Sequence, residues 1–261
     1  MPSPSESPEP ASLIAAVARR YADLRSYRDK GECVTSFSNS PYKAERRFRT
    51  EFVRPDRFRF EFRERPGRSD IPEADWTTFV AWMSGGVAHS WWTLKPVVET
   101  RGTIFDCLLP AAGISRRTSM NVPGLLLPGR PVESVFPETA AIATVTRTKI
   151  DSVDCVRIDR APAPDRSMSW WIVSNSLLLL RSEEIVRYTK ERQRKLHEGW
   201  EQVLVLPVEQ GGLTEKQKRL LSERPPKPRS EYTAHSVTTY RPAADVEIEP
   251  DAFTKGLPSS V

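Results

Sequence analysis

The chain has 261 residues, of which 38% are hydrophobic and 28% charged, so it is long enough to form one all-β domain with a buried core. No apolar run approaches the roughly 18 residues that a membrane-spanning helix needs, which excludes such a segment. The net charge of +5, carried mostly by arginine, suits anionic partners but does not choose among phosphates, lipid head groups and nucleic acid.

The N-terminal segment MPSPSESPEP is rich in proline, serine and glutamate, which predicts a disordered tail over 1–10 ahead of a single domain over 11–261. It has no basic segment followed by an apolar one, so this sequence shows no signal peptide. The protein is therefore either cytoplasmic or exported by a leader that this chain does not include. Residues 11–27 predict an amphipathic helix, because apolar residues recur at helical spacing: Leu13, Ile14, Val17, Tyr21 and Leu24.

A strand from residue 29 and a turn at 38–42 lead into 45–65, ERRFRTEFVRPDRFRFEFRER, the most regular stretch of the sequence. Phenylalanine alternates there with charged residues, which predicts a hairpin with the rings on one sheet face and the charges on the other. The turn is predicted at Arg54-Pro55-Asp56. The rings are those of Phe48, Phe52, Phe58, Phe60 and Phe62. Five arginines are predicted to be solvated on the opposite face, or to meet lipid phosphate or a partner there: Arg47, Arg49, Arg57, Arg59 and Arg63.

A second hairpin is predicted from 76–83 and 87–94, joined by Ser84-Gly85-Gly86, and it concentrates four of the tryptophans. Residues 103–137 then break the strand pattern, because proline and glycine interrupt a series of apolar residues. Short buried helices are expected in this segment. They form either a plug that fills the open face of the sheet or a movable lid over a cavity.

Strands resume at 141–150, 153–160, 168–173, 177–188 and 231–240, with 244–253 as the exit. Residues 190–229 are highly charged and are predicted to be an insertion. It contains one strand at 203–208 and one short helix at 214–223. The prediction is therefore one helix, about ten antiparallel strands, and a short-helix interruption in the middle of the chain.

Motifs of catalysis, cofactor binding and metal binding are missing from the sequence, which favours a protein that is not an enzyme. The three histidines, His89, His197 and His235, are scattered, and each is more often structural. Spacing alone leaves open a triad assembled in space from His89, His235, Cys107 or an aspartate. The cysteines allow one disulfide with a free thiol or, as the default, three buried thiols: Cys33, Cys107 and Cys155. Nucleic-acid binding is disfavoured, because the strict alternation of the hairpin places the aromatic rings and the guanidinium groups on opposite faces of the sheet, whereas a stacking surface needs both on one face.

The order of elements and several phrases resemble the LolA-type lipoprotein carriers and lipoprotein-sorting-protein-like family. The phrases are YADLRSYRDKGEC, FVRPDRFRFEF, AWMSGGVAHSWW, SMSWWIVSNSLLLLRSEEI and TTYRPAADVEIEPDAF. The resemblance covers 11–189 and 231–253, and the charged insertion departs from the family pattern. It implies a mainly β (α+β) fold, an incomplete antiparallel β-barrel with an N-terminal helix and short helices over its concave face, in the periplasm or cell envelope.

The resemblance also implies a cavity for a lipid or lipoprotein acyl chain, and the apolar residues of the sheet and of 103–137 are its candidate lining. The alternative is an envelope sensor or scaffold domain of the same fold, filled by its own side chains and binding a protein. We expect a monomer, no cofactor, no nucleic acid and no metal. The candidate residues are Phe48, Phe52, Phe58, Phe60, Phe62, Trp82, Trp91, Trp92, Leu125 and Leu126.

Overall fold

The computed structural model describes residues 9–65, 72–127, 136, 143–194 and 230–257. Within these ranges the strands form one antiparallel sheet of twelve. They are β1 (Ser26–Phe37), β2 (Ser40–Val53), β3 (Arg57–Glu64), β4 (Thr77–Ser84), β5 (Val87–Trp92), β6 (Lys95–Arg101), β7 (Thr144–Ile150), β8 (Val153–Ala163), β9 (Arg166–Val173), β10 (Leu179–Tyr188), β11 (Tyr232–Tyr240) and the two-residue β12 (Ala243–Ala244).

The sheet consists of two meanders that meet in its middle. The strand order is β6-β5-β4-β3-β2-β1-β11-β10-β9-β8-β7, and β12 pairs with β1. Neighbours within each meander are also neighbours in sequence, whereas β1 and β11 lie far apart along the chain. In the described ranges β6 and β7 form the two edges, so the sheet is open and has the architecture of a half-barrel.

Three helices lie on one face of this sheet, which we call the inner face: α1 (Pro10–Asp23), α2 (Ile104–Leu108) and α3 (Asn121–Leu126). Helix α1 begins where Glu9 accepts a hydrogen bond from the Ser12 N–H, and a proline occupies its first turn. A capping box of Thr103 and Asp106 begins α2. Helix α3 contacts α1 and β2, and α2 contacts β4, β5 and β6. The helices therefore cover the half of the sheet that the phenylalanines occupy.

The predicted fold is confirmed: an incomplete antiparallel barrel with an N-terminal helix and short helices over one face. Several boundaries differ from the prediction. Helix α1 ends at Asp23 rather than 27, because Tyr27 already pairs with Phe52 in the sheet. The predicted 38–42 turn is shorter, since β2 begins at Ser40.

Strand β6 was not predicted, because its residues are exposed or half-buried and lack an apolar period. The strand at 203–208 and the helix at 214–223 lie outside the described residues, as do most of the predicted tail and insertion. Where the chain is described, no helix combines the length and hydropathy needed to cross a membrane.

Candidate functional site

The five phenylalanines of the β2–β3 hairpin form an aromatic wall on the inner face. Phe48 pairs with Phe62 and Phe52 with Phe58, and the exposed fraction of these side chains is 5% or less. The turn at Arg54-Pro55-Asp56 sets this register, which places every ring of the hairpin on one side. The alternation in the sequence therefore placed the five rings correctly.

Ring contacts extend the wall across five strands of the sheet. The ring centroids of Phe48 and Tyr240 of β11 lie 5.3 Å apart, and those of Phe62 and Phe79 of β4 lie 5.5 Å apart. Phe79 in turn meets the predicted Trp92 edge to face at 6.1 Å. Such pairs contribute beyond the area that they bury. Tyr240 and Phe79 were not predicted to be part of the wall. Phe79 could have been, because it alternates in β4 with Ala81 and Met83 on the inner face.

The cover of the wall comes from the helices. The predicted residues Leu125 and Leu126 of α3 are buried in the same apolar cluster as the wall, at 6% and 1% exposure. Helix α1 adds Leu13 and Val17, and α2 adds Leu108. The described structure thus covers the phenylalanines with the protein's own side chains.

Two predicted residues lie on the opposite face, and this is a correction. Trp82 pairs with Arg59, and Trp91 pairs with Val80. Paired residues share a face, so both tryptophans lie with the charged residues of β3 rather than with its phenylalanines. The pairing of Phe62 with Phe79 fixes this arrangement, because it turns the odd-numbered residues of β4 inward. Of the four clustered tryptophans, Trp92 reaches the apolar wall.

Arg54, in the β2–β3 turn, connects the two helices that cover the wall. Its Nε donates to the carbonyl oxygen of Leu24 at 2.8 Å, and its Nη2 donates to those of Tyr21 at 3.3 Å and Leu126 at 3.2 Å. These carbonyls lie at the C-terminal ends of α1 and α3, where backbone acceptors lack the regular bond from the residue four positions later. One guanidinium therefore holds both helix ends against the turn.

The other end of α3 is tied to the sheet by Asn121, whose Nδ2 donates to the Tyr240 hydroxyl at 3.1 Å. Both residues are buried. The pKa of Tyr240 is raised by burial, so this hydroxyl stays protonated at neutral pH. Helix α3 is thus held to the wall by one polar contact near each end and by apolar packing between them.

A buried carboxyl group, Asp29, lies within the inner face and was missed by the sequence analysis. It accepts hydrogen bonds from the Tyr27 hydroxyl at 3.0 Å and from the Thr50 N–H at 2.9 Å. Burial raises its pKa to about 7, although the bonds from Thr50 and Tyr27 oppose the shift. The sequence could have indicated this burial, because Asp29 lies an even number of residues from Tyr27 and Cys33 in β1 and so shares the inner face with them.

The outer face carries the arginines as predicted, but Arg59 is not solvated. Its side chain is 1% exposed, pairs with Glu61 at 2.9 Å, and donates to the carbonyl oxygens of Ala252 at 3.3 Å and Lys255 at 2.7 Å. The solvated prediction is wrong for this residue because the C-terminal 3-10 turn, Pro250–Phe253, packs over β3.

The described residues bring no catalytic set together. His89 bonds Thr100 at 3.1 Å and His235 lies 3.4 Å from Glu183, both on the outer face and on strands that four others separate. His197 lies outside the described ranges. The three cysteines are free and buried, as the default prediction had it. No group of three metal-ligating side chains occurs among the residues described.

Among the comparisons with known proteins, only the comparison with solved structures found matches. No protein-family model matches the chain, and no curated protein matches it. Among the solved structures, LprF of Mycobacterium bovis is 9% identical over 94% of this chain and 97% of that one, with a TM-score of 0.39. A putative outer membrane lipoprotein-sorting protein domain of Vibrio parahaemolyticus is 8% identical over 93% and 95%, with a TM-score of 0.36. A LolA superfamily protein of Nitrosomonas europaea is 10% identical over 94% and 97%, with a TM-score of 0.33.

The fold itself is established by the strand order and by the helices on the inner face. The class of protein that these features define is an open antiparallel half-barrel with an aromatic inner wall.

Proposed function

We propose that this protein is a non-enzymatic carrier that binds the acyl chain of a lipid or lipoprotein between the aromatic wall and the covering helices. The observation that carries the proposal is the wall itself, a continuous series of rings from Tyr240 to Trp92 under helices of five and six residues. We place this activity in the periplasm or cell envelope, following the sequence resemblance, and fractionation of the native host tests that location.

A bound acyl chain can supply enough free energy to displace the covering helices from the wall. Helices as short as α2 and α3 are not stable alone, so their packing on the wall keeps them helical. Removing Leu125 and Leu126 from the wall costs roughly 2 to 3 kcal/mol each. An acyl chain contributes about 0.8 kcal/mol per buried methylene, or on the order of 10 kcal/mol for about 14 methylenes. A bound chain therefore outweighs the loss of these two leucines.

The alternative is a domain of the same fold that binds a protein and keeps its interior filled. Its supporting observation is the complete burial of Phe52, Phe58, Phe60 and Phe62 by the protein's own side chains. The two functions differ in one measurable respect, which is whether a lipid enters the inner face.

Native mass spectrometry of the protein purified from a bacterial host, followed by organic extraction, measures this directly. A carrier is expected to show added masses that match an extracted lipid. A fatty acid with a diazirine group should then label the wall and α3, and unlabelled fatty acid should compete. An apo mass that stays unchanged after incubation with phospholipid and lipopeptide would contradict the carrier and leave the protein-binding domain.

Two substitutions locate the site. Phe62→Leu removes a ring from the wall and should weaken binding of the labelled fatty acid. Trp91→Leu is the matched control, because Trp91 lies on the outer face and its loss should leave that binding unchanged. Melting temperatures confirm that both variants are folded. Equal loss in the two variants would place the lipid elsewhere.

A further inference from the structure

The outer face has a depression with a cavity volume of about 530 Å³, formed by β1, β2, β3, β11 and the chain after β11. It lies on the side of the sheet opposite the aromatic wall. Its lining includes five cationic side chains, Lys30, Arg47, Arg49, Arg63 and Arg241. Three carboxylates also line it, those of Glu32, Glu61 and Glu73. Five positive charges against three negative ones leave a net charge of +2.

The strand register places like charges side by side in this depression. Lys30 is directly opposite Arg49, and Arg47 is directly opposite Arg63. The backbone N–H of Arg241 bonds the Lys30 carbonyl oxygen at 2.9 Å, which places a third cation next to the first pair. Like charges in directly opposed positions destabilise a sheet. An anion bound between them would remove this repulsion.

Two of the three carboxylates of the depression, Glu61 and Glu73, form ion pairs with arginines, and Glu32 lies opposite Arg47 in the strand pairing. Glu61 accepts from Arg49 at 2.7 Å, from the buried Arg59 at 2.9 Å and from Arg63 at 3.2 Å. Burial alone would raise the pKa of the Glu61 carboxyl, but Arg49 and then Arg59 outweigh it and hold the pKa below its usual value. One fixed negative charge thus orients three guanidinium groups, and two of them, those of Arg49 and Arg63, line the depression.

Two other cations have no ion-pair partner in the part of the chain that the structure describes: Lys30 and Arg241. Glu73 pairs with Arg47 at the rim. Among the described lining residues the cations therefore outnumber the carboxylates, and the depression keeps a net positive charge. Arginine forks bind phosphate oxygens in pairs, whereas lysine supplies a compact charge.

We propose that this depression binds an anion that carries at least two phosphate groups. Neighbouring strands lie about 4.8 Å apart and side chains two positions apart on a strand lie roughly 7 Å apart, so the two opposed cation pairs span more than one phosphate. The lining has no exposed aromatic ring on which a base could stack, which separates this site from a single-stranded nucleic-acid groove. The phosphates can belong to a soluble molecule or to a lipid head group.

The test uses the full chain and two probes: inorganic pyrophosphate, and vesicles that contain cardiolipin, a lipid with two phosphate groups. Phosphatidylcholine vesicles are the control for the second probe. Calorimetry measures pyrophosphate binding, and flotation measures vesicle binding. The variant Lys30→Gln with Arg241→Gln removes two positive charges without breaking an ion pair among the described residues. Arg147→Gln with Lys190→Gln removes the same charges from exposed positions outside the depression.

Binding of pyrophosphate that falls about tenfold or more in the first variant, while the second binds like the wild type, supports the site with a soluble anion. Binding to cardiolipin vesicles with the same dependence on Lys30 and Arg241, and none to pyrophosphate, supports the site with a lipid head group. Binding of neither probe, or equal loss in both variants, overturns the proposal. Extraction of a lipid from the inner face is a separate result and does not bear on this site.

Discussion

The buried carboxyl group of Asp29 predicts how stability depends on pH. Its pKa is about 7 in the folded protein, against 3.8 for the free group. Between these values the folded protein keeps a proton that the unfolded chain has lost. The free energy of unfolding therefore falls as pH rises from about 4 to about 7, and it levels off above the folded pKa.

The magnitude follows from the size of the shift. A difference of about 3 pKa units, at 1.36 kcal/mol per unit, corresponds to roughly 4 kcal/mol of stability lost across this range. Among the described residues no cation pairs with Asp29 to reduce the cost of its charge, and it accepts hydrogen bonds from the Tyr27 hydroxyl and the Thr50 N–H. The substitution Asp29→Asn keeps a side chain of the same shape that can accept the Thr50 bond, and it has no charge to bury.

Urea unfolding followed by tryptophan fluorescence, at pH 5 and pH 8, measures the effect. The free energy of unfolding of Asp29→Asn relative to the wild type should rise by roughly 2.5 kcal/mol between pH 5 and pH 8, because the unfolded chain has already lost the Asp29 proton at pH 5 and the first part of the effect lies below that pH. Comparing the variant with the wild type cancels the pH dependence that other groups contribute, such as Glu64, whose pKa is also raised by burial. A difference between variant and wild type that does not change with pH would refute the reasoning.

Three further substitutions test contacts in the sheet and its cover. Arg54→Ala removes donors from the ends of α1 and α3, so hydrogen exchange of α3 should accelerate and stability should fall by about 2 to 3 kcal/mol. Arg57→Ala, at the first position of β3, removes a stacking contact with Phe253 and should cost about 1 kcal/mol or less. Gly31→Ala places a Cβ 2.4 Å from the Thr239 carbonyl oxygen, so a loss of about 1 to 3 kcal/mol is expected by urea unfolding, and no loss would contradict that packing. Arg59→Met removes the bonds to the C-terminal turn, and limited proteolysis should cut 250–257 sooner than in the wild type; equal rates would count against that role.

The sequence predicted the aromatic wall well because alternation is a local property. The rings of the β2–β3 hairpin follow period two on both sides of a turn that proline and aspartate specify, and no distant contact was needed to place them. The same local reasoning failed for Trp82 and Trp91. Tryptophan was assumed to point inward because it is large and apolar, but the register of β4 against β3 decides its face.

The buried charges were less predictable because they depend on segments far away in sequence. Arg59 is buried by a turn almost 200 residues later, at Ala252 and Lys255. The depression on the outer face likewise needs Arg241 of the chain after β11 beside Lys30 of β1. Alternation placed these groups on the correct face, but the sequence did not indicate which segments would lie next to them.

The pairing of β1 with β11 has a consequence for how the chain folds. The hydrogen bond between Thr35 and Ser236 joins residues 201 positions apart, so the middle of the sheet closes a very long loop. Local hairpins can form early, but this seam must wait until nearly the whole chain is present, which is a topology associated with slow folding. Removal of β11 would leave two separate meanders, each with a newly unpaired strand. The chain is therefore expected to tolerate truncation at its C-terminal side poorly, although the aromatic wall lies almost entirely in its N-terminal half.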